Sequence, residues 1–596
     1  MSIANADIAA VFDEIADLLD IQGANAFRIR AYRNAARMLG GLGRSVREMV
    51  EHGEDLDALP GIGPDLASKI AEIAATGHCA LLERLRKELP PEITALLKIP
   101  GLGPRRVRLL HDELGVETLE QLRAAAQDGR ISGVHGFGLK TQQRILDAVQ
   151  SRLQQERRVK LSVAVQVADA ILAELAGVPG VKQAVAAGSL RRQRDTVGDL
   201  DLLVTIERGS PVMERFTRSS QVERVLSRGI TRASVVLRSG LQVDLRAVPP
   251  ASFGAAWLYF TGSKAHTIAL RKLAQDVGLK LNEYGAYRGS RRIAGDTEAS
   301  VYAALGLPFI TPELREDRGE IEAARARALP VLVNLSDLRG DLHAHTRESD
   351  GRDSLEAMAL AARRRGFEYL AITEHSARLA MARGLDAERL ARQIDDIDEL
   401  NARLEGITLL KGIEVDILED GRLDLPDTVL TRLDLVVGAI HHRFDLPRER
   451  QTERLLRAMD RPHFSLLAHP TGRLLDERPA CDIDLPRVLR KARERGCFVE
   501  LNAQPERLDL DDPACRMARD EGVLVAIDSD AHSVDDFAHL RFGIGQAGRG
   551  WLRAADVLNT RPLAELRPLL EATMGRSSRP ASPQPAVRAD QMAGAR

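Results

Sequence analysis

The sequence predicts three kinds of domain in one chain: a helical N-terminal region, a unit built on a mixed β-sheet, and a C-terminal barrel of parallel strands with crossover helices. Three observations carry this. At 596 residues the chain is too long for one hydrophobic core. Up to about residue 155 apolar residues recur at helical spacing between short glycine-bearing turns, whereas β-rich runs such as QAVAAG, DLLVTI, ASVVLRS and LQVDLRAV fill about 180–248. After Asp337, short apolar runs (YLAIT, LDLVVGAI, SLLAH, CFVELN, VLVAID) alternate with arginine-rich helical segments, the pattern of parallel strands.

Composition bounds the rest. A hydrophobic fraction of 44% and a charged fraction of 29% fit a soluble globular protein. No run of about 18 apolar residues occurs, so no transmembrane helix and no membrane partner are expected. The N-terminus, MSIANADIAAVFDEIADLLD, carries acids inside its apolar pattern and lacks a basic leader; it reads as a capped amphipathic helix and not as a secretory signal. Cys79, Cys481, Cys497 and Cys515 show no paired spacing, which predicts reduced thiols in a cytoplasm. The net charge of −2 argues weakly against nucleic acid, but it is unevenly spread. Residues 161–336 hold 23 basic against 18 acidic side chains and residues 337–596 hold 39 against 46. Metal ligands count as uncompensated acids in such a tally, so bulk charge does not exclude DNA.

The helical region contains an internal repeat. LPGIGPDLASKI (59–70), IPGLGPRRVRLL (99–110) and VHGFGLKTQQRIL (134–146) each place an apolar-Gly turn before a helix. Gly61, Gly63, Gly101, Gly103, Gly136 and Gly138 let a phosphate approach the backbone, and the N–H groups at the following helix start point at it. One copy reads equally well as a turn that merely packs; three copies favour a DNA-backbone grip that reads no sequence.

In VAAGSLRRQRDTVGDLDLLVTI (185–206), Asp199 and Asp201 stand two apart at the start of a strand, so both point to one face. A third acid, Asp244, sits mid-strand between Val243 and Leu245 and needs a partner there. Three such carboxylates can hold two cations, with Mg²⁺ or Mn²⁺ the expected occupants, one activating a hydroxyl and the other neutralising a triphosphate. Gly188 and Ser189 offer a tight turn, and Arg191, Arg192 and Arg194 offer phosphate-facing charge. The bland alternative is an acidic turn with Asp244 salt-bridged to an arginine.

GSLRRQRDTVGDLDLL resembles the palm signature of family X DNA polymerases, and WLYFTGSKAHTIALRKLAQDVGLKLNEYGAYR (257–288) resembles that family's substrate-binding segment. The resemblance implies a nucleotidyltransferase palm in which Asp199, Asp201 and Asp244 are the catalytic metal ligands. It implies further that Gly188, Ser189 and Arg192 bind the triphosphate, that Tyr259, Phe260 and Gly262 line the nucleotide's sugar, and that Arg271 meets the template-side minor groove. Thr267 falls where the family often has Asn. The N-terminal segment resembles the family's small lyase domain, with Lys69 at the Schiff-base position. Asp65, four residues earlier, raises rather than lowers an ammonium pKa, which favours Lys69 as a plain phosphate contact.

The C-terminal half places histidines and acids at the ends of strand-like runs: His343, His345 and Asp350 in GDLHAHTRESDG, His375 in LAITEHS, Glu414 in GIEVDI, His441 in GAIHHRF, His469 in LLAHPTGR, and Asp530 and His532 in VAIDSDAH. In a barrel of parallel strands those ends converge on one rim. Nine N/O ligands can hold up to three metals, and the absence of cysteine favours Mn²⁺, Zn²⁺ or Fe²⁺. The pattern resembles the polymerase-and-histidinol-phosphatase (PHP) domain, which implies a distorted (β/α)7 barrel with these nine residues as ligands. Glu374 stands where Asp is common, and His442 where Ser is common.

The expected division is a lyase-like domain (1–90), a fingers-like domain with further hairpins (91–155), a palm (156–250), a thumb-like domain (251–318), a polar linker (319–336) overlapping the connector 311–333, the PHP domain (337–576), and a disordered tail rich in Pro, Ser and Ala (577–596). The function this implies is a cytoplasmic, nucleoid-associated repair polymerase. It would fill short gaps in base excision repair and end joining, using gapped or nicked DNA and deoxynucleotides. Its PHP domain would act as a 3′–5′ exonuclease, 3′-phosphatase or abasic-site nuclease. Other DNA repair proteins are candidate partners, and a monomer is the default. Two competing readings are a nucleotidyltransferase on a non-DNA acceptor fused to a phosphatase, and a non-catalytic DNA-binding scaffold.

Overall fold

A computed structural model describes residues 5–42, 46–59, 61–88, 93–97, 99, 102–154 and 158–575. Gly101 and the tail 577–596 lie outside the described residues.

The N-terminal helix Asn5–Ile21 forms where the amphipathic pattern predicts it, burying Ile8, Phe12, Ile15 and Leu18 against Tyr32 and Leu39 of the helix Ala26–Gly41. A second helical core gathers Leu102, Val107, Leu110, Leu122, Ile131, Ile145 and Val149. The repeated glycines do one job in all three hairpins: Gly63, Gly103 and Gly138 each stand immediately before a helix (Pro64–Thr76, Pro104–Leu114, Leu139–Gln154). Gly61 and Gly136 turn into those helices at φ 74° and 88°, a region that side-chain-bearing residues avoid.

The palm is a five-stranded sheet of β1 (Val181–Ala186), β2 (Asp199–Ile206), β3 (Val222–Arg228), β4 (Arg232–Leu237) and β5 (Gln242–Val248), in the order β1-β2-β5-β4-β3. Only β2 and β5 run parallel, and their register sets Asp201 opposite Asp244. The helix Leu161–Ala176 covers one face with Leu161, Ala164, Val167 and Ile171. The thumb-like unit follows, with helices Phe253–Thr261, Lys264–Asp276 and Glu298–Ala304 around a small three-stranded antiparallel sheet.

The stretch read as a polar connector is packed and not a solvated tether. Leu314, Ile321 and Ala324 enter the thumb core beside Leu270, Val301 and Tyr302. Its buried charged groups find partners in place: Arg315, fully buried, donates to Glu298 at 2.7 Å and to the Ile310 carbonyl, and Glu320 pairs with His266 Nδ1 at 2.6 Å. The polar composition conceals this because Glu298 and His266 come from helices earlier in the chain.

The C-terminal domain has two parallel sheets. One pairs Gly340–Asp341, Tyr369–Ile372 and Thr408–Lys411; the other runs from Glu414–Asp416 through Val437–Ala439, Leu466–Leu467 and Phe498–Asn502 to Val525–Asp528. Single parallel bridges, His375 to Glu414 and Ala344 to Ala531, join them at both seams. Two residues separate Lys411 from Glu414, so the strands occupy seven positions in an open-seamed, distorted barrel. Among the described residues no helix is long and apolar enough to cross a membrane, and the four cysteines are free and buried.

Candidate active sites

The palm centre is built from the β2–β5 register. Asp199 and Asp201 share the outward face of β2, where Leu200 and Leu202 point into the core. Burial, then the neighbouring Asp199 and Asp244, push the Asp201 carboxyl up to about 7. The mid-strand Asp244 finds its partners: the Ser234 hydroxyl donates to it across the β4–β5 pair, Gln242 Nε2 donates at 3.0 Å, and Arg232 stands 3.8 Å away, largely exposed. The Arg232 bridge, the one the acidic-turn alternative expects, is present but is the longest of the three contacts. Among the described residues, the acid and histidine groups tight enough to share an ion all lie in the barrel, and the palm triad is not one of them.

Gly188, at φ 62°, closes the palm from above. A Cβ there would sit 2.6 Å from Asp201 Oδ2, so only glycine lets this turn approach the carboxylate. Ser189 follows in the short helix Gly188–Arg191. The three arginines, expected to face phosphate together, separate. Arg191 stacks on Trp257 with its guanidinium 3.4 Å from the ring centre and grips Glu298 through both ends, at 2.8 and 2.6 Å, so it braces palm to thumb. Arg192 donates through Nε to Glu316 Oε1 at 2.9 Å and through Nη1 to the Thr261 carbonyl. Arg194 is the most open of the three, 3.8 Å from Glu316. Proximity in sequence showed the charge and not its partners.

Tyr259 and Phe260 end the helix Phe253–Thr261 half-buried, edge-to-face at 5.1 Å, with Arg246 over the Phe260 ring. Gly262, at φ 72°, packs against Arg192, whose Nη1 would lie 3.1 Å from an added Cβ. Arg271 projects from the helix Lys264–Asp276, exposed, while Thr267 on the same helix is buried. In the first hairpin Lys69 Nζ lies 2.5 Å from Asp65 Oδ1, the i,i+4 pair the spacing implies.

The barrel rim gathers all nine histidines and acids. Three groups have ligand atoms within 4.8 Å of one another: His345, Asp350, His375 and His532; His343, His345 and Asp530; and His375, Glu414 and His441. Glu414 is central, 2.7 Å from His375, 3.2 Å from His441, 2.9 Å from His469 and 3.5 Å from His343. Burial lowers the His375 and His343 imidazoles, but Glu414 beside His375, and Glu500 with Asp530 beside His343, outweigh it and raise both well above the ordinary value. His532 rises to about 9, chiefly through Asp350, whereas His345, buried between His532 and His375, falls to about 3. Buried atoms without hydrogen-bond partners point inward: His343 Nε2, both nitrogens of His345, and Glu414 Oε2. Orphaned nitrogens facing carboxylates suit a divalent cation.

Two supporting residues, Glu500 and Asp416, escaped the sequence reading, and Glu374, noted there only as a departure, has a definite place. Glu500 takes His343 Nδ1 at 2.6 Å and so turns Nε2 inward; Asp416 does the same for His441 at 3.0 Å. Glu374, fully buried, binds Thr346, Ser349 and Gln393 behind the rim. Glu500 in CFVELN is an acid inside an apolar strand, the signal already used for Asp244, and Asp416 shares the strand face of Glu414. His442 stays 3.9 Å from Asp416 and is partly exposed.

A carboxylate-bearing palm with a thumb, set beside a barrel whose rim holds a histidine-rich metal-type centre, defines a two-site phosphoryl-chemistry enzyme. Family models agree: helix-hairpin-helix domain over 3–79, SAM-like helix-hairpin-helix tandem over 93–151, DNA polymerase beta thumb over 256–316, and PHP domain over 341–503. The chain is 37% identical to the DNA polymerase/3′-5′ exonuclease PolX of Bacillus subtilis (strain 168), over 95% of this chain and 99% of that protein. It is 27% identical to rat DNA polymerase lambda over 52% of this chain and 56% of that one. It is 28% identical to a probable phosphatase of Thermoanaerobacter sp. (strain X514), over 37% of this chain and 89% of that one. The chain belongs to the family X DNA polymerases that carry a C-terminal PHP domain.

Proposed function

We propose that this enzyme is a DNA-directed DNA polymerase that fills short gaps during repair and trims or cleans DNA 3′ ends with its PHP domain. The observation that carries it is the coexistence of the Asp201–Asp244 register with a nine-residue rim in one chain. Its relative of nearly equal length is named for both activities, and rat DNA polymerase lambda matches over 52% of the chain.

In the palm reading, Asp199, Asp201 and Asp244 hold Mg²⁺ or Mn²⁺, which supplies activation of the primer hydroxyl and neutralisation of the triphosphate. Asp201 and Asp244 fix the primer end over β2 and β5. Gly188 and Ser189 bring backbone N–H groups to the phosphates, and Arg192 adds charge. Tyr259, Phe260 and Gly262 wall the sugar, and a ring excludes a bulkier ribose. Arg271 meets the minor groove. The hairpin glycines and Lys69 grip the backbone, so binding weakens steeply with salt.

In the barrel reading the nine rim residues hold up to three ions of Mn²⁺, Zn²⁺ or Fe²⁺, which supply hydroxide at neutral pH. Glu500 and Asp416 orient His343 and His441. The match to probable phosphatases favours 3′-phosphate removal as a second activity of this site. The domain limits 1–90, 91–155, 156–250, 251–318 and 337–576 belong to the same proposal, as do a monomeric state, repair-protein partners and a place at the nucleoid.

The test uses a 5′-labelled primer in a one-nucleotide gap with Mn²⁺, with and without deoxynucleotides, on wild type, Asp201→Ala and His343→Ala. The expected result is extension with nucleotides, shortening without them, and loss of one activity only in each variant. Neither activity in the wild type, on gapped, abasic or 3′-phosphate ends, would overturn the reading.

A further inference from the structure

Arg549 closes the helix Leu540–Arg549 of the C-terminal domain, but two of its three acceptors belong to the polymerase half. Its Nη1 donates to the backbone carbonyl of Arg192 at 2.9 Å and to Glu316 Oε1 at 2.8 Å, and its Nη2 donates to Asp512 Oδ2 at 2.9 Å. The side chain is 1% exposed. A guanidinium that deep is retained only where its donors are matched.

Glu316 Oε1 is shared. It accepts from Arg549 and also from Nε of Arg192 at 2.9 Å, while Arg318 reaches Asp512 at 2.6 Å from the far side. Charges therefore alternate from the palm turn into the barrel: Arg192, Glu316, Arg549, Asp512, Arg318. A second observation supports the same contact. A Cβ on Gly545 would meet Gln193 Oε1 at 2.8 Å, and one on Gly548 would meet Glu313 at 3.4 Å. The helix presents a bare face where the 188–194 turn and the connector press on it.

We propose that Arg549 is a positioning residue of the polymerase site, acting through Glu316 and the Arg192 carbonyl to fix the turn that offers Arg192 to the nucleotide's triphosphate. The proposal rests on the polymerase reading of the palm. With Nε held by Glu316 and Nη1 by the Thr261 carbonyl, the guanidinium of Arg192 keeps one orientation, and its remaining donors are left for phosphate. Arg549 and Glu316 touch no substrate; they remove freedom from the group that does. Nucleotide affinity in the palm thus depends on a side chain of the phosphoesterase domain.

The experiment is steady-state filling of a one-nucleotide gap by the full chain, as wild type, Arg549→Ala, Arg549→Lys, Glu316→Gln, Arg192→Ala and the Arg192→Ala/Arg549→Ala pair. Exonuclease rate and melting midpoint are read on the same preparations. The expected result for Arg549→Ala is a KM for deoxynucleotide raised about tenfold, with kcat and exonuclease rate within about twofold of wild type. Arg549→Lys should recover part of the loss, Glu316→Gln should reproduce it, and the pair should be no worse than Arg192→Ala alone. An unchanged KM in both Arg549→Ala and Glu316→Gln overturns the proposal. So does a parallel fall of both activities with the melting midpoint, which marks a purely structural arginine. A wild type that does not extend at all overturns the polymerase reading, and the proposal with it.

Discussion

Asp201 and Asp244 face each other as register partners on adjacent parallel strands, with the Ser234 hydroxyl donating to Asp244 from the strand beyond. The pair is costly without a cation, because burial and like charge act together on Asp201. Asp244→Asn should therefore cut primer extension by roughly 10³-fold or more while leaving the exonuclease intact. In EDTA the same variant should melt about 2–4 °C above wild type, since it removes one of the repelling charges. Extension assays and calorimetry on one preparation check both; a variant that melts lower and loses both activities would contradict the assignment.

Glu500 acts on the barrel centre through His343. Glu500→Gln keeps the shape but weakens the hold on Nδ1, so metal affinity should fall roughly 10–100-fold. Exonuclease activity should fall at low Mn²⁺ and return as Mn²⁺ is raised, while gap filling stays at the wild-type rate. Titrating Mn²⁺ against both activities reads the split.

His266 is buried between Glu320 and Tyr302, and burial pushes its imidazole below the ordinary value. The folded state holds this histidine neutral, whereas the unfolded chain protonates it near pH 6.5. Stability from the group is thus present above about pH 6.5 and drains as pH falls below it. Thermal melts from pH 7.5 to 5.5 should show a falling midpoint, and the slope should be shallower in His266→Gln. An identical slope in the two proteins would place the acid sensitivity elsewhere.

Lys69 Nζ is paired with Asp65 Oδ1, so a carboxylate already occupies the amine that would have to attack an abasic sugar. Borohydride in the presence of a 5′-deoxyribose phosphate end should trap little covalent complex. Lys69→Ala should instead weaken gapped-DNA binding and lower the salt slope by about 1. Efficient trapping lost in Lys69→Ala would reverse this view.

The parts that could be read in the sequence are those where a residue type conflicts with its local pattern. An aspartate two places from another at a strand start, or histidines closing apolar runs, announce a site because burial would otherwise penalise them. The barrel strands and the hairpin helices were legible for a related reason: periodicity and glycine placement are local. What was hidden depends on partners far along the chain. Nothing near Arg191 shows that it braces Glu298, 107 residues away, while Arg192 beside it takes Glu316. The connector reads as polar because Arg315 and Glu320 are charged, and their partners Glu298 and His266 come from other helices. Glu500 and Asp416 lay within reach, since an acid inside an apolar strand was the signal that found Asp244.

Leu508 and Phe542 belong by sequence to the C-terminal domain, yet they sit in the palm's own core beside Leu161, Val197 and Leu200. The palm thus takes part of its interior from the phosphoesterase half. A gene broken at the connector would encode two products, one with a gap where those rings and methyls belonged and the other with the same groups bared to water. Removing the barrel would therefore unmake part of the palm, whatever became of the barrel's own chemistry, because the first enzyme is partly folded out of the second.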